Sequence, residues 1–344
     1  MKTIQPEVLQ NFITAIFQAA GAPEAHAQLV ANSLVAANLA GHDSHGVIRT
    51  VQYLSAIQND ELDPTAVPKV ASQVGVVTML DAQRAFGQVA AQRAMQIAIE
   101  KAKEYAMASV GLFNCGHVGR LGEWVQMAAD AQMIGMGFCN GGSPGGLVTP
   151  HGGAAQRLGT NPLAAAIPRA EDAPVVVDFA TSVVAEGKVR VARNSGKALP
   201  AGRILDVNGA PSTDPNDLYA GGMLLPAAEH KGYCLALLMD YLGGILTGAG
   251  CASLPNFRRG NGVLFMVLSI EAFRPLDAFL SDAAALSDVM RATPPAAGYD
   301  EVLTPGDPEQ RTAQQRRAHG IPLDDTTWSQ LVEVATAHHV AAPA

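Results

Sequence analysis

Between residues 76 and 179, short apolar runs alternate with helix-length segments, and this alternation constrains the fold more than any other feature of the chain. Val76–Leu80 reads as a strand, Gln88–Tyr105 as a helix and Ala108–Phe113 as a strand. Leu121–Ala131 reads as a helix, and Ile134–Cys139, Leu163–Ile167 and Val175–Phe179 as further strands. Farther on, Lys231–Leu246 has the pattern of an apolar helix and Val263–Ile270 that of a buried strand. The order predicts an α/β (mixed α+β) core.

The two ends differ from this middle. Val8, Leu9, Phe12, Ile13, Ile16 and Phe17 form one helical stripe, and Leu29, Val30, Leu34 and Val35 another. Gly21 suits the end of the first helix and Pro23 the first turn of the second. After about residue 285 the chain again turns helical and polar, ending in Asp325–His338. Residues 1–70 with 285–344 are therefore expected to form a helical domain beside an α/β domain over 71–284. Asp206-Val207-Asn208-Gly209 marks a turn, with Pro211 and Asp214-Pro215 in a loop.

Composition narrows the partners. The 344 residues are 48% hydrophobic and 16% charged, which excludes a disordered chain. Net charge is −8, so no polybasic footprint for nucleic acid or an anionic membrane exists. Any anion must be held by a few placed cations. Leu235–Leu246 is interrupted by Asp240 and is too short to span a bilayer. The N-terminus lacks the apolar run of a signal peptide. Cys115, Cys139, Cys234 and Cys251 form no CxxC pair and read as buried thiols of a cytoplasmic protein.

Three constellations carry chemistry. In Asp43-Ser44-His45-Gly46-Val47-Ile48-Arg49, the arginine is the sole Lys or Arg between Thr3 and Pro68. On a helix His45 and Arg49 would share a face, the arginine forking a carboxylate while the histidine exchanges a proton with the adjacent oxygen. The plainer alternative is a helix start capped by Ser44. In Gly116-His117-Val118-Gly119-Arg120-Leu121-Gly122, His117 lies near a helix N-terminus, where the dipole disfavours imidazolium. Lys188, Arg190, Arg193 and Lys197 gather against one acid, Glu186, as a pyrophosphate or 2′-phosphate site or as a solvated basic face. His230-Lys231 precedes the apolar helix and could meet the same ligand. No GxGxxG follows a strand, so the Rossmann fingerprint is missing. Gly141-Gly142-Ser143-Pro144-Gly145 has the letters of a nucleophile elbow, but Pro144 has no N–H to donate, and the segment reads as a turn. No metal site is completed around His42 and His45.

Together Asp43–Arg49, Gly116–Gly122, Pro150–Gly153, Gly159–Pro162, Val177–Ser182, His230–Tyr233 and Pro305–Gly306 resemble the motifs of the type-2 malate/L-lactate dehydrogenase family, in order and over nearly the whole chain. That family includes ureidoglycolate, sulfolactate and 2,3-diketogulonate dehydrogenases and cyclic-imine reductases. The resemblance implies a non-Rossmann, mixed-sheet domain binding NAD or NADP, and a homodimer. It implies hydride transfer between nicotinamide and a small anionic 2-hydroxy or 2-oxo acid. His45, His117, Arg49 and Ser44 would form the catalytic group. Val177, Asp178, Phe179, Ala180, Lys188, His230, Lys231, Gly306 and Asp307 would line the cofactor site. His151, Cys234 and Asp307 depart from the usual family residues. The alternatives are reduction of a cyclic imine such as piperideine- or pyrroline-2-carboxylate, and a small-anion binding protein without turnover. A lyase or isomerase using the two histidines would need no nicotinamide.

Overall fold

The computed structural model describes residues 2–194, 196–255 and 257–343. A short strand β1 (Lys2–Ile4) leads into helices α1 (Pro6–Ala19) and α2 (Glu24–Leu39). Of the expected stripe of α1, Leu9, Phe12, Ile13, Ile16 and Phe17 are buried, whereas Val8 is exposed. Gly21 between them has φ +93°, a left-handed turn that suits glycine. Pro23 is the cap residue of α2 rather than part of its first turn. A 3₁₀ turn, Asp43–His45, precedes α3 (Arg49–Gln58).

The central alternation follows: β2 (Lys69–Val74), β3 (Val77–Asp81), α4 (Gly87–Tyr105), β4 (Met107–Cys115), α5 (Leu121–Asp130), β5 (Met133–Gly142), β6 (Leu163–Arg169) and β7 (Asp172–Phe179). Next come α6 (Glu186–Asn194), β8 (Ile204–Leu205), β9 (Pro211–Ser212), α7 (Pro215–Tyr219), β10 (Met223–Leu224) and α8 (His230–Met239). The chain closes with β11 (Gly260–Ser269), α9 (Leu276–Arg291), α10 (Asp307–His319), β12 (Ile321–Leu323) and α11 (Asp325–Ala337).

Seven strands form one mixed sheet in the order β2-β3-β4-β11-β5-β6-β7. Only β3 and β4 pair in parallel, with α4 as the crossover that parallel neighbours require. β11 lies antiparallel to both β4 and β5, Val263 standing opposite Leu112 and Cys139. The alanine-rich face of α4 and the face of α5 bearing Trp124 and Val125 pack over Val110, Leu112 and Phe265. A second core joins the termini: Leu9, Ile13 and Phe17 pack with Leu331 and Ala335, while β1 pairs with β12. α9 crosses residue 285 and lies against β6. A third, small core around Val189, Ile204, Leu218 and Leu224 supports a three-stranded sheet, β10-β8-β9, where the sequence showed only turns.

The apolar helix is shorter than its hydrophobic run. α8 gives way at Asp240–Ile245 to π-helical turns. There the buried Asp240 accepts from Asn140 Nδ2 (3.0 Å). Cys115, Cys139 and Cys251 are buried, but Cys234 is exposed on α8, against expectation, because α8 turns that side outward. The Gly141–Gly145 segment is the end of β5 and a turn, as Pro144 implied. No helix among the described residues is long and apolar enough to cross a membrane.

Candidate active site

Asp43–Arg49 is not one helix. The 3₁₀ turn ends at His45, Gly46 is extended, and α3 starts only at Arg49, so the two residues do not share a helical face. Other contacts bring them together. Arg49 Nε donates to the Ser44 carbonyl (2.6 Å) and Nη1 to Gln52 Oε1 (2.7 Å). Asn38 of α2 shapes the turn, accepting from Val47 N (2.8 Å) and donating to Asp43 Oδ1 (2.6 Å). Gly46 lies so close to the Asn38 side chain that a Cβ would collide with it. Arg316 of α10 grips Asp43 from the other side, at 2.6 and 3.0 Å. Ser44 caps no helix; its Oγ meets His45 Nδ1 at 3.1 Å.

His117 stands on the loop between β4 and α5, stacked on His45 with ring centroids 5.5 Å apart and planes 19° from parallel. Its Nδ1 meets the Tyr53 hydroxyl at 2.8 Å, and Gln88 Nε2 donates to that hydroxyl (2.9 Å). With Gln88 donating to the phenol oxygen, the phenol proton points to Nδ1, which leaves the ring proton on Nε2. The loop itself is pinned by Val118 N donating to Asn261 Oδ1 (2.9 Å) and Trp124 Nε1 to the Val118 carbonyl (2.9 Å).

Burial sets the protonation states. It pushes His45 down to about 3, assisted by the positive charge of Arg49. Burial, Arg49 and His45 together hold His117 well below the ordinary histidine value. Burial raises Tyr53 to about 12, so the phenol keeps its proton. The site thus presents two neutral imidazoles at neutral pH. Beside them Arg49 is hydrogen-bonded only to neutral groups and takes part in no ion pair among the described residues. A half-buried guanidinium left in this way favours a carboxylate ligand.

The candidate cofactor residues converge on the end of β7. Asp178 Oδ2 accepts from Gly122 N (2.7 Å) in the first turn of α5. Val176 N donates to the Pro305 carbonyl (3.1 Å), which brings Gly306 alongside, and Ala227 N donates to the Thr181 carbonyl (2.8 Å), three residues before His230. Ala228 and Glu229 both have positive φ, at 46° and 57°, as the chain turns into α8. His151 packs edge-on against His230, ring centroids 6.0 Å apart. α6 approaches the Asp43–His45 turn closely: a Cβ on Gly187 would stand 2.6 Å from Ser44 Cβ. Lys188 is exposed on that helix. Two other cations of its cluster are engaged within the chain, Arg190 with Glu186 (2.9 and 3.0 Å) and Arg193 over the Tyr219 ring (4.5 Å).

Asp307 is turned inward. Its carboxylate takes Arg291 Nη2 (2.6 Å) and Nε (2.9 Å), Thr304 N (2.8 Å) and Thr304 Oγ1 (2.9 Å). Arg291 holds it well below the usual carboxylate range. Among the described residues no group of three His, Cys, Asp or Glu side chains could hold a metal ion.

The sequence profile of the malate/L-lactate dehydrogenase family matches residues 4–332. The chain belongs to that family. Hydroxycarboxylate dehydrogenase B of Escherichia coli O157:H7 is 37% identical over 335 residues, covering 96% of this chain and 92% of the relative. The crystal structure of malate dehydrogenase from Entamoeba histolytica superposes with a TM-score of 0.92 at 29% identity, over 100% of this chain and 99% of the other. Δ1-piperideine-2-carboxylate reductase from Pseudomonas syringae pvar. tomato gives 0.86 at 29%, over 97% and 100%. Family membership makes the chain a hydroxy-acid oxidoreductase, and the mixed sheet is the family fold.

Proposed function

We propose that the chain transfers hydride reversibly between a nicotinamide dinucleotide, NAD or NADP, and C2 of a small 2-hydroxy or 2-oxo acid, as a cytoplasmic homodimer. The observation that carries this reading is Arg49, in no ion pair among the described residues and set beside two stacked neutral histidines. Arg49 would fork the substrate carboxylate, placing the C2 oxygen against the histidines. His117, its proton held on Nε2 by Tyr53, hydrogen-bonds that oxygen. His45, neutral before the acid binds, takes the hydroxyl proton during oxidation, with Ser44 Oγ fixing its ring. In reduction the bound carboxylate offsets the Arg49 charge that lowers His45, and the ring gains from solvent the proton it delivers.

The residues at the end of β7 fit a dinucleotide. The place where a Cβ would stand on Gly306 lies 3.2 Å from Val176 N, a cradle lined by backbone. Val177, Asp178, Phe179, Ala180 and Gly306 would hold the nucleoside parts, and His230, Lys231 and Lys188 the phosphates, with Asp307 bracing the Gly306 turn. When bound, the nicotinamide supplies or accepts the hydride. The helical unit of residues 1–70 with 285–344 then carries His45 and Arg49 and lends Gly306 and Asp307 to the cofactor, whose other residues lie in 71–284. The shared core of α1 and α11 supports that division.

The test is a panel of 2-oxo acids and cyclic imines followed at the absorbance band of reduced nicotinamide, with both cofactors. His45→Ala should lower kcat about 100-fold or more with little change in cofactor affinity, and Arg49→Ala should chiefly raise KM for the acid. No oxidation with any acid would overturn the reading. A second reading, reduction of a cyclic imine-2-carboxylate, is favoured by the likeness to the piperideine-2-carboxylate reductase. It keeps the Arg49–carboxylate contact, and His45→Ala would then leave most of the rate.

A further inference from the structure

Arg120 closes the loop that carries His117 and stands immediately before α5. Its Nε is buried and has no hydrogen-bond partner among the described residues. It takes part in none of the ion pairs among the described residues. Arg120 lies three residues beyond His117, whose ring stacks on His45, and directly before α5, whose Gly122 N is held by Asp178 at the end of β7. Burial raises both Glu123 and Asp178, against the opposing pull of the Arg120 charge. Asp178 is in addition held by Gly122 N, and Glu309 by His42 (3.2 Å). A buried charged donor without a partner is costly, and an anionic ligand is a group that would satisfy it.

We propose that Arg120 is a second anion-binding residue of the substrate site, selecting 2-hydroxy and 2-oxo acids that carry a further negative group, such as a second carboxylate, over monoacids. This deepens the 2-hydroxy-acid reading and rests on it. Arg49 reaches the catalytic turn from α3, whereas Arg120 arrives on the His117 loop. A four-carbon diacid with its C2 oxygen at the histidines has one carboxylate for each guanidinium. A monoacid would leave Arg120 Nε as it is now, buried and unpaired. Pyrophosphate has other cations, Lys231 and Lys188, both exposed.

The test compares kcat/KM for oxaloacetate and pyruvate, with reduced nicotinamide as hydride donor, in the wild type and in Arg120→Met, Arg120→Gln and Arg120→Lys. The wild type should favour oxaloacetate by about tenfold or more, and the Met and Gln variants should lose about that factor from the ratio, mostly through KM. Lysine, which keeps the charge without the fork, should retain part of the preference. An unchanged ratio in any variant that folds with a wild-type Tm overturns the proposal. So does an equal loss with both acids accompanied by weaker cofactor binding, which would assign Arg120 to the dinucleotide. Should Met and Gln fail to fold, a Lys variant with the full wild-type ratio and KM still overturns it. A wild type that turns over neither acid defeats the underlying 2-hydroxy-acid reading, a result seen before any variant is compared.

Discussion

A carboxyl group buried near Arg120 makes the stability of the fold depend on pH. Glu123 accepts from Ser33 Oγ (2.7 Å), and burial raises it to about 7 against the opposing pull of Ser33 and Arg120. A folded-state value above the unfolded one favours the protonated form. The associated stability is complete below the ordinary glutamate value, and it is lost as pH rises through about 7. Glu123→Gln should therefore gain stability relative to wild type between pH 5 and pH 8, by on the order of 2 kcal/mol. Urea denaturation at the two pH values measures it, and a constant difference would rule it out. Tyr53→Phe removes the partner of His117 Nδ1 and strands Gln88 Nε2, whose Oε1 already lacks a partner. The cost should be about 1–3 kcal/mol, together with a fall in kcat that exceeds any change in KM. His45, Arg49 and His117 were legible in the sequence because histidine and arginine carry their chemistry in their type. Tyr53, Gln88, Asn38 and Asn261 were not, since each acts across a gap such as the 64 residues from Tyr53 to His117. Nothing local marks a polar residue as the partner of a distant ring.

At the scale of elements, the positions of β3 to β7, α4 and α5 followed from periodicity, because each is fixed by which face its own residues bury. The exposed edge strand β2 had no such signal. β4, α5 and β5 fall where the apolar runs placed them. Their arrangement did not follow. β11 enters between β4 and β5 from residues 260–269, and only the register of Phe265 against Val110 and Gly137 shows it. The small β10-β8-β9 sheet was likewise hidden, its strands being two residues each and too short for any period to register. The junction of α5 with β7 is the element contact that the cofactor reading depends on most. A Cβ on Gly122 would stand 2.8 Å from Asp178 Oδ2, so Gly122→Ala must displace the Asp178 side chain at the end of β7. Crowding of this kind costs about 1–3 kcal/mol. It should also raise the dissociation constant for reduced nicotinamide, read by fluorescence titration. An unchanged constant in a destabilised variant would separate this junction from the cofactor site.

The whole molecule leaves apolar surface where a chain of charge −8 could have placed acids. Leu238, Tyr241, Ile245 and Leu246 are 44%, 58%, 52% and 63% exposed along α8 and the π-helical turns that continue it. Spacings of three, four and one put them on one side of the helix, the pattern of a face that packs against something. A second copy of the chain is the occupant that the homodimer reading names. The same helix begins with His230 and Lys231, so burying its far end would hold its near end still against the cofactor. Leu246→Glu should then shift the species seen by sedimentation velocity from dimer to monomer at micromolar protein. It should also abolish any dependence of Tm on concentration, because mass action no longer couples folding to association. If the brace is real, the monomeric variant should bind reduced nicotinamide more weakly, although residue 246 lies fifteen positions from Lys231. A wild type that sediments as a monomer at micromolar concentration would remove the dimer. A monomeric variant with undiminished cofactor affinity would keep the dimer and remove only the coupling.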